Sequence, residues 1–224
     1  MTSRGQCLIS CAPLRAQPTS TSEQVSQILY GECVAVLETI DGWIRIRLEN
    51  DGYEGWISAN QLSDVSFEPS VIQCVSPFVR DGNQFIPLGA WLPKFAEVPE
   101  HTQKPIDLAR KLKGAPYLWG GKTFMGMDCS GLMQVIHLPH KVRLPRDSSQ
   151  QALFGTEIPF GMHKAGDLAF FHNSEKRIMH VGILTDNSRI IHASGTVRED
   201  DLSVRGIERE DGSRSHDLAF IKRL

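Results

Sequence analysis

The chain lacks an excess charge of either sign. Its 224 residues carry 24 basic and 26 acidic side chains, a formal net charge of −2. A nucleic-acid binder shows a basic excess or stripe, so that class is excluded. No apolar run approaches the ~18 residues that span a bilayer. The N-terminus, MTSRGQCLISCAPLRAQPTS, has no apolar stretch of the ~7–15 residues found in a secretory leader. Internal repeats, low-complexity segments and blocks of like charge are also missing, so a solenoid or a membrane-surface tail is not expected. Cysteine is scarce and odd in number: five, at 7, 11, 33, 74 and 129. A disulfide framework would leave one over, so a reducing compartment is the expected home. Together these features give a cytoplasmic expectation. Hydrophobic residues at 41% and charged residues at 22% are ordinary for a globular chain. At about 150 residues per domain the length allows one large or two small domains.

The chain divides into two halves of different punctuation. Residues 1–92 read as a small β-barrel domain. Leu29 to Glu38 holds the apolar run Val34 to Leu37, and Asp41-Gly42 marks a turn. Trp43 to Leu48 then alternates, with Ile44, Ile46 and Leu48 on one face and Arg45 and Arg47 on the other, the period of a half-buried strand. Asn50-Asp51-Gly52 is a further turn. Residues 93–105 hold three prolines and several charges, and read as a linker. Residues 106–224 mix helix and strand, an α+β pattern. Pro105 opens a helix that Gly114 stops. Asp128 caps a helix running to Leu138, and a short helix covers Asp147 to Leu153. Strands are expected over Asp167–Phe171, Met179–Leu184, Arg189–Ala193 and Leu218–Lys222.

Cys129 is the first candidate for chemistry. It follows a capping Asp at the start of a helix, where backbone N–H groups and the helix dipole favour a thiolate. Gly131 leaves open backbone for a substrate to approach. The alternative is a buried cysteine that packs as a small hydrophobe. A thiolate needs a base, and among eight histidines His180 and His192 stand out. They lie on consecutive expected strands joined by the turn Thr185 to Ser188. A hairpin centred at 186 places them opposite each other on one face, about 4.5–5.5 Å apart at Cβ. One imidazole then orients the other, although spacing leaves open which is the base. Two facing histidines also suit a metal, but no third ligand has a fixed spacing to them. Cys7 and Cys11 have no second ligand pair either, and Cys33 and Cys74 carry no reading. His101, His137, His140, His163, His172 and His216 fall near expected ends or loops and read as solvated.

Six segments then occur in order: Tyr117-Leu-Trp-Gly-Gly121, Asp128-Cys-Ser-Gly131, Leu144-Pro-Arg-Asp147, Gly166 to Phe171, His180-Val-Gly182 and Ile191-His-Ala-Ser194. Residues 114–195 thereby resemble the NlpC/p60-type cysteine peptidases of bacterial cell walls, a papain-like α+β fold with an antiparallel sheet. The first half resembles a bacterial SH3-like barrel over about residues 10–65, marked by Gly42-Trp43 and Tyr53 to Ile57. The combination is similar to γ-D-glutamyl-L-diamino-acid endopeptidases. The resemblance implies Cys129 as nucleophile, His180 as general base and His192 as its orienting residue. It implies substrate contacts from Tyr117, Asp128 and Ser130, with Asp128 holding a free α-ammonium. Glu54, in the barrel, is an expected second carboxylate for that ammonium. The implied substrate is a murein peptide, L-Ala-γ-D-Glu-diaminopimelate, cleaved during cell-wall peptide recycling. No cofactor and no metal are expected, and neither a nucleic-acid nor a membrane partner. The competing readings are a wall-peptide binding module without catalysis, and an acyltransferase on the same fold.

Overall fold

A computed structural model describes residues 3–73, 78–93, 103–186, 188–209 and 211–224. Six strands come first: β1 Arg4–Gln6, β2 Cys11–Arg15, β3 Gln24–Leu29, β4 Cys33–Ile40, β5 Trp43–Leu48 and β6 Glu54–Ser58. They form one antiparallel sheet in the order β1-β4-β5-β6-β2-β3, closed as a barrel. The seam is visible in hydrogen bonds. Cys7 N–H donates to the Glu32 carbonyl at 3.1 Å and Gly31 N–H to the Cys7 carbonyl at 2.7 Å, joining the end of β1 to the turn after β3.

The alternation in β5 sets its faces: Ile46 and Leu48 are buried while Arg45 and Arg47 are exposed. They join Cys7, Ala12, Leu14, Ile28, Val34 and Ile57 in the barrel core. The expected run from Leu29 to Glu38 is not continuous. Gly31 adopts φ +77°, and a Cβ there would strike the carbonyl of Trp91. The chain therefore turns between β3 and β4 at a position that only glycine fills comfortably. Residues 69–93 stay outside the barrel sheet. β7 Pro69–Gln73 pairs with β10 Trp91–Pro93, and β8 Phe78–Asp81 with β9 Gln84–Pro87. Of the linker stretch 93–105, residues 94–102 lie outside the described residues, as does Cys74.

The second half begins with α1, Pro105–Lys111, and a short hairpin of β11 Lys122–Thr123 and β12 Gly126–Met127. Next come α2 Cys129–His137 and α3 Ser148–Gln151. The sheet strands are β13 Thr156–Ile158, β14 Leu168–His172, β15 Ile178–Leu184, β16 Arg189–Ser194, β17 Thr196–Ser203, β18 Gly206–Glu208 and β19 Arg214–Arg223. These seven form an antiparallel sheet in the order β13-β19-β14-β15-β16-β17-β18, and β18 also pairs with β19. Helix α2 lays Leu132, Met133 and Ile136 on Val181, Ile183 and Ile191. The opposite face buries Phe171, Leu184, Ile190 and Ile207. No described helix is long and apolar enough to cross a membrane.

The two halves are pinned together by buried polar contacts. Lys122 and Glu32, 3% and 2% exposed, form an ion pair at 3.6 Å. Lys122 N–H donates to Gln27 Oε1 at 2.7 Å, and Gln134 Nε2 donates to Asp51 Oδ2 at 2.7 Å.

His137, expected at a solvated helix end, is buried instead, because the last turn of α2 lies inside the core. Its Nδ1 lies 2.8 Å from the Met133 carbonyl, so it donates there as a neutral ring. Burial lowers its pKa from 6.5 to about 4. A folded pKa below the unfolded one means the unfolded chain takes up the proton first. The stability is therefore present above pH 6.5 and is lost as pH falls towards 4, by up to about 3 kcal/mol from this group. We expect the urea midpoint to drop between pH 7 and pH 4.5 in wild type, and to drop less in His137→Leu. Equal drops in both would reject this assignment.

Candidate active site

The site is organised by the start of α2. Asp128 has extended backbone and its carboxylate accepts from Gly131 N–H at 2.7 Å, the capping geometry that its sequence position suggests. The second oxygen accepts from Gly120 N–H at 2.8 Å. Arg146, 2% exposed, donates to both oxygens and also to Ser130 Oγ at 2.8 Å. Its Nε reaches across to Ser26 Oγ of the barrel at 3.1 Å. Arg146 thus neutralises the buried cap and joins it to the barrel. Gly131 does not present open backbone to a substrate. A Cβ there would collide with the Gly121 carbonyl, so this glycine is needed for close packing of two backbone segments.

Cys129, 7% exposed, follows the cap. Burial pushes its thiol up, and Asp128 adds to the shift, while backbone hydrogen bonds from Val181 and Ser130 act against it. Desolvation therefore outweighs the helix start, and the thiol rests protonated. The Val181 hydrogen bond places the sulfur against β15, one residue beyond His180.

His180 and His192 come together as a pair. The β15–β16 ladder sets Gly182, not His180, opposite His192. The hairpin is centred one residue later than expected, which moves the partner by two positions and keeps both rings on one face. Gly182 has no side chain in the way, and a Cβ there would lie 2.9 Å from that of His192. His180 crosses this gap diagonally, and its Nε2 lies 2.8 Å from His192 Nδ1. His192 Nε2 lies 2.9 Å from Asp200 Oδ2. Asp200 Oδ1 accepts from Arg198 at 2.7 Å. Although burial pushes Asp200 up, the hydrogen bonds from His192 and Arg198 hold it below the usual carboxylate range. An ionised Asp200 draws the His192 proton to Nε2. His192 Nδ1 then accepts from His180 Nε2–H, and His180 Nδ1 is left with its lone pair. Burial first, and then the neighbouring His192 and His216, push the His180 pKa well below 6.5, so this ring is neutral.

A cleft of about 220 Å³ opens over Cys129. Its floor holds Asp128, Cys129 and Ser130, and Glu23, Val25 and Tyr53 of the barrel form one wall. Trp119 donates its indole N–H to Glu23 at 2.6 Å. Tyr117 stands beside the thiol: burial first, and then its neighbours Cys129 and Asp128, raise its hydroxyl to about 12. It is not among the residues lining the cleft, whose tyrosine is Tyr53. Glu54 is absent from the cleft as well, which corrects the sequence expectation. Its carboxylate points away on β6 and pairs with Arg45 at 2.9 Å and Arg47 at 2.6 Å. Side chains alternate along a strand, so the neighbour Tyr53 can look into the cleft while Glu54 cannot. The barrel acid in the cleft is Glu23, just before β3.

Three residues escaped the sequence reading. Asp200 lies on β17, a strand hidden in the polar run Arg198 to Asp201. Glu23 has no local mark. His216, expected in a solvated end or loop, stacks on His180 with ring centroids 4.1 Å apart. It does so because β19 returns beside β14.

A thiol at a helix start, held against the strand that carries a His–His–Asp chain and joined to a barrel, defines the class of papain-like domain with an accessory SH3-like barrel. Comparison with known proteins agrees. Residues 114–211 match the NlpC/P60 family, and residues 14–62 match the bacterial dipeptidyl-peptidase SH3 domain. The chain carries an NlpC/P60 peptidase domain preceded by that SH3 domain. It is 27% identical over 214 residues to a γ-D-glutamyl-L-lysine dipeptidyl-peptidase of Bacillus subtilis, covering 76% of this chain and 72% of that one. It is 26% identical to dipeptidyl-peptidase 6 of Lysinibacillus sphaericus, over 93% of each chain. The crystal structure of an NlpC/P60 family protein from Bacillus cereus shares the fold over 99% of each chain, with a TM-score of 0.81 and 18% identity.

Proposed function

We propose that this chain is a cysteine endopeptidase that hydrolyses the γ-D-glutamyl–diamino acid bond of short murein peptides with a free N-terminal L-Ala. The observation that carries this reading is the cleft built jointly by Cys129 and the barrel wall of Glu23 and Tyr53. A peptidase acting along a polymer needs an open trough. A barrel wall with a carboxylate suits a short peptide that ends in an ammonium.

The chemistry follows from the proton positions. The Cys129 thiol gives its proton to His180 Nδ1 as the sulfur attacks the γ-carbonyl carbon. The Cys129 backbone N–H, first in the helix and without an intrahelical acceptor, is the donor to the oxyanion. The intermediate collapses to a thioester, and His180 returns the proton to the departing diamino acid nitrogen. Water then attacks the thioester carbon, giving its proton to His180 and releasing L-Ala-D-Glu and the thiol. His192 and Asp200 hold the tautomer of His180. Glu23 supplies the negative charge for the ammonium, Asp128, already neutralised by Arg146, lines the floor beside it, and Tyr117 and Ser130 flank the nucleophile. In this reading residues 1–92 and 106–224 act as barrel and catalytic domains about the linker 93–105. The peptide is met in the cytoplasm, during recycling of wall fragments.

The test compares L-Ala-γ-D-Glu-diaminopimelate with its N-acetylated form. The free peptide should yield L-Ala-D-Glu, and acetylation should lower kcat/KM by at least about tenfold, the loss of one charged contact. Equal turnover of both peptides would reject the ammonium requirement, and no turnover of either would reject the substrate.

A further inference from the structure

The sequence offers two histidines on facing strands and no third ligand at a fixed spacing. The fold supplies the third. His216 on β19 comes beside the pair, and one nitrogen from each of His180, His192 and His216 lies within 4.8 Å of the other two. We infer that these three imidazoles form a binding site for a borderline transition-metal ion of the Zn²⁺ class.

The arrangement of outer partners supports this. In metal sites the non-ligating ring nitrogen is usually held by a carboxylate, hydroxyl or carbonyl, which aims the other nitrogen's lone pair at the metal. His192 Nε2 is held by Asp200 at 2.9 Å, leaving Nδ1 inward. His216 Nδ1 is held by Ser215 Oγ at 2.9 Å, leaving Nε2. His180 Nε2 already points at His192 Nδ1, at 2.8 Å. Ligand nitrogens around a tetrahedral Zn²⁺ are about 3.3 Å apart, given Zn–N bonds of about 2.0–2.1 Å. The His180 and His192 nitrogens are closer than that, at 2.8 Å, and every pair lies within 4.8 Å. His216, stacked on His180 with an interplanar angle of 21°, turns out of the stack to aim its lone pair at the ion. His180 and His216 also line an open cavity of about 420 Å³, distinct from the cleft over Cys129. The ion can arrive there, and the cavity leaves its fourth position to water.

Occupation costs the His180–His192 hydrogen bond. The proton on His180 Nε2 moves to Nδ1 and the freed lone pair binds the metal, so the ring stays neutral and no proton is released. Nδ1–H can no longer accept the Cys129 proton. On the proposed peptidase reading, the bound ion therefore inhibits turnover. Binding itself does not depend on that reading.

The experiment titrates purified full-length chain, without substrate, with Zn²⁺ against a chromogenic chelator, and with Co²⁺ by absorption spectroscopy. Wild type and Cys129→Ala should each bind one ion per chain with affinities within about twofold. His216→Phe keeps a ring against His180 but removes the nitrogen, and should bind at least about tenfold more weakly. The Co²⁺ complex should show tetrahedral d–d bands without a thiolate charge-transfer band. Absence of stoichiometric metal on wild type, equal binding by His216→Phe, or a thiolate band lost in Cys129→Ala would each overturn the assignment. Loss of peptide turnover in metal-free protein would count against the proposed function alone.

Discussion

Cys129→Ala is expected to lower turnover of the γ-D-glutamyl peptide by a factor on the order of 10⁴ or more, with an unfolding midpoint close to wild type. The activity loss follows from the proposed roles. Removing the nucleophile of a covalent mechanism removes nearly everything that the assembled residues contribute, because His180, His192 and Asp200 then have no proton to manage. The small stability effect follows from size. The change deletes one sulfur from a site at the edge of the cleft, a loss on the order of 1 kcal/mol. Because burial holds the thiol protonated at rest, Cys129 should also alkylate slowly when the active-site histidine is gone. The measurements are single-turnover product formation and a urea melt. A variant that retains a tenth of wild-type turnover would rule out Cys129 as nucleophile.

The second large effect is on stability. Arg146→Met should destabilise the fold by about 3–5 kcal/mol, because it strands a buried carboxylate. Asp128 is 4% exposed and would keep only the Gly120 and Gly131 N–H donors and the Ser130 hydroxyl. The methionine fills much of the same volume, so the loss reports charge more than packing. Adding Asp128→Asn removes the stranded charge while keeping a capping oxygen, and should recover at least about 1 kcal/mol. Denaturant unfolding of wild type, single and double variants gives these differences. A single-variant loss below about 1 kcal/mol, or no recovery in the double variant, would show that the pair is neutral to folding.

Local pattern made some of this site legible. The Asp128 cap, the helix after it and the strands around His180 and His192 are written in residues close in sequence, where period and capping chemistry act directly. The same-face placement of the two rings survives a hairpin shifted by one residue, because the partner moves by two. The polar run at 198–201 hid strand β17, since its burial comes from neighbours rather than from its own composition. Glu54 and Glu23 show the limit most clearly. Both are barrel acids with no local feature to separate them. Only the seating of the barrel against α2, fixed by Lys122–Glu32 and Arg146–Ser26, decides which one reaches the cleft.

By itself the sequence determined the two-part architecture, the helix start that carries Cys129 and the pairing of His180 with His192. Each depends on interactions within a few residues or across one hairpin. The tertiary structure alone decided the remaining partners: Asp200 behind His192, His216 on His180, and Glu23 and Tyr53 over the thiol. Those contacts join segments far apart in the chain. Their meeting depends on sheet order and domain packing, which no local periodicity encodes.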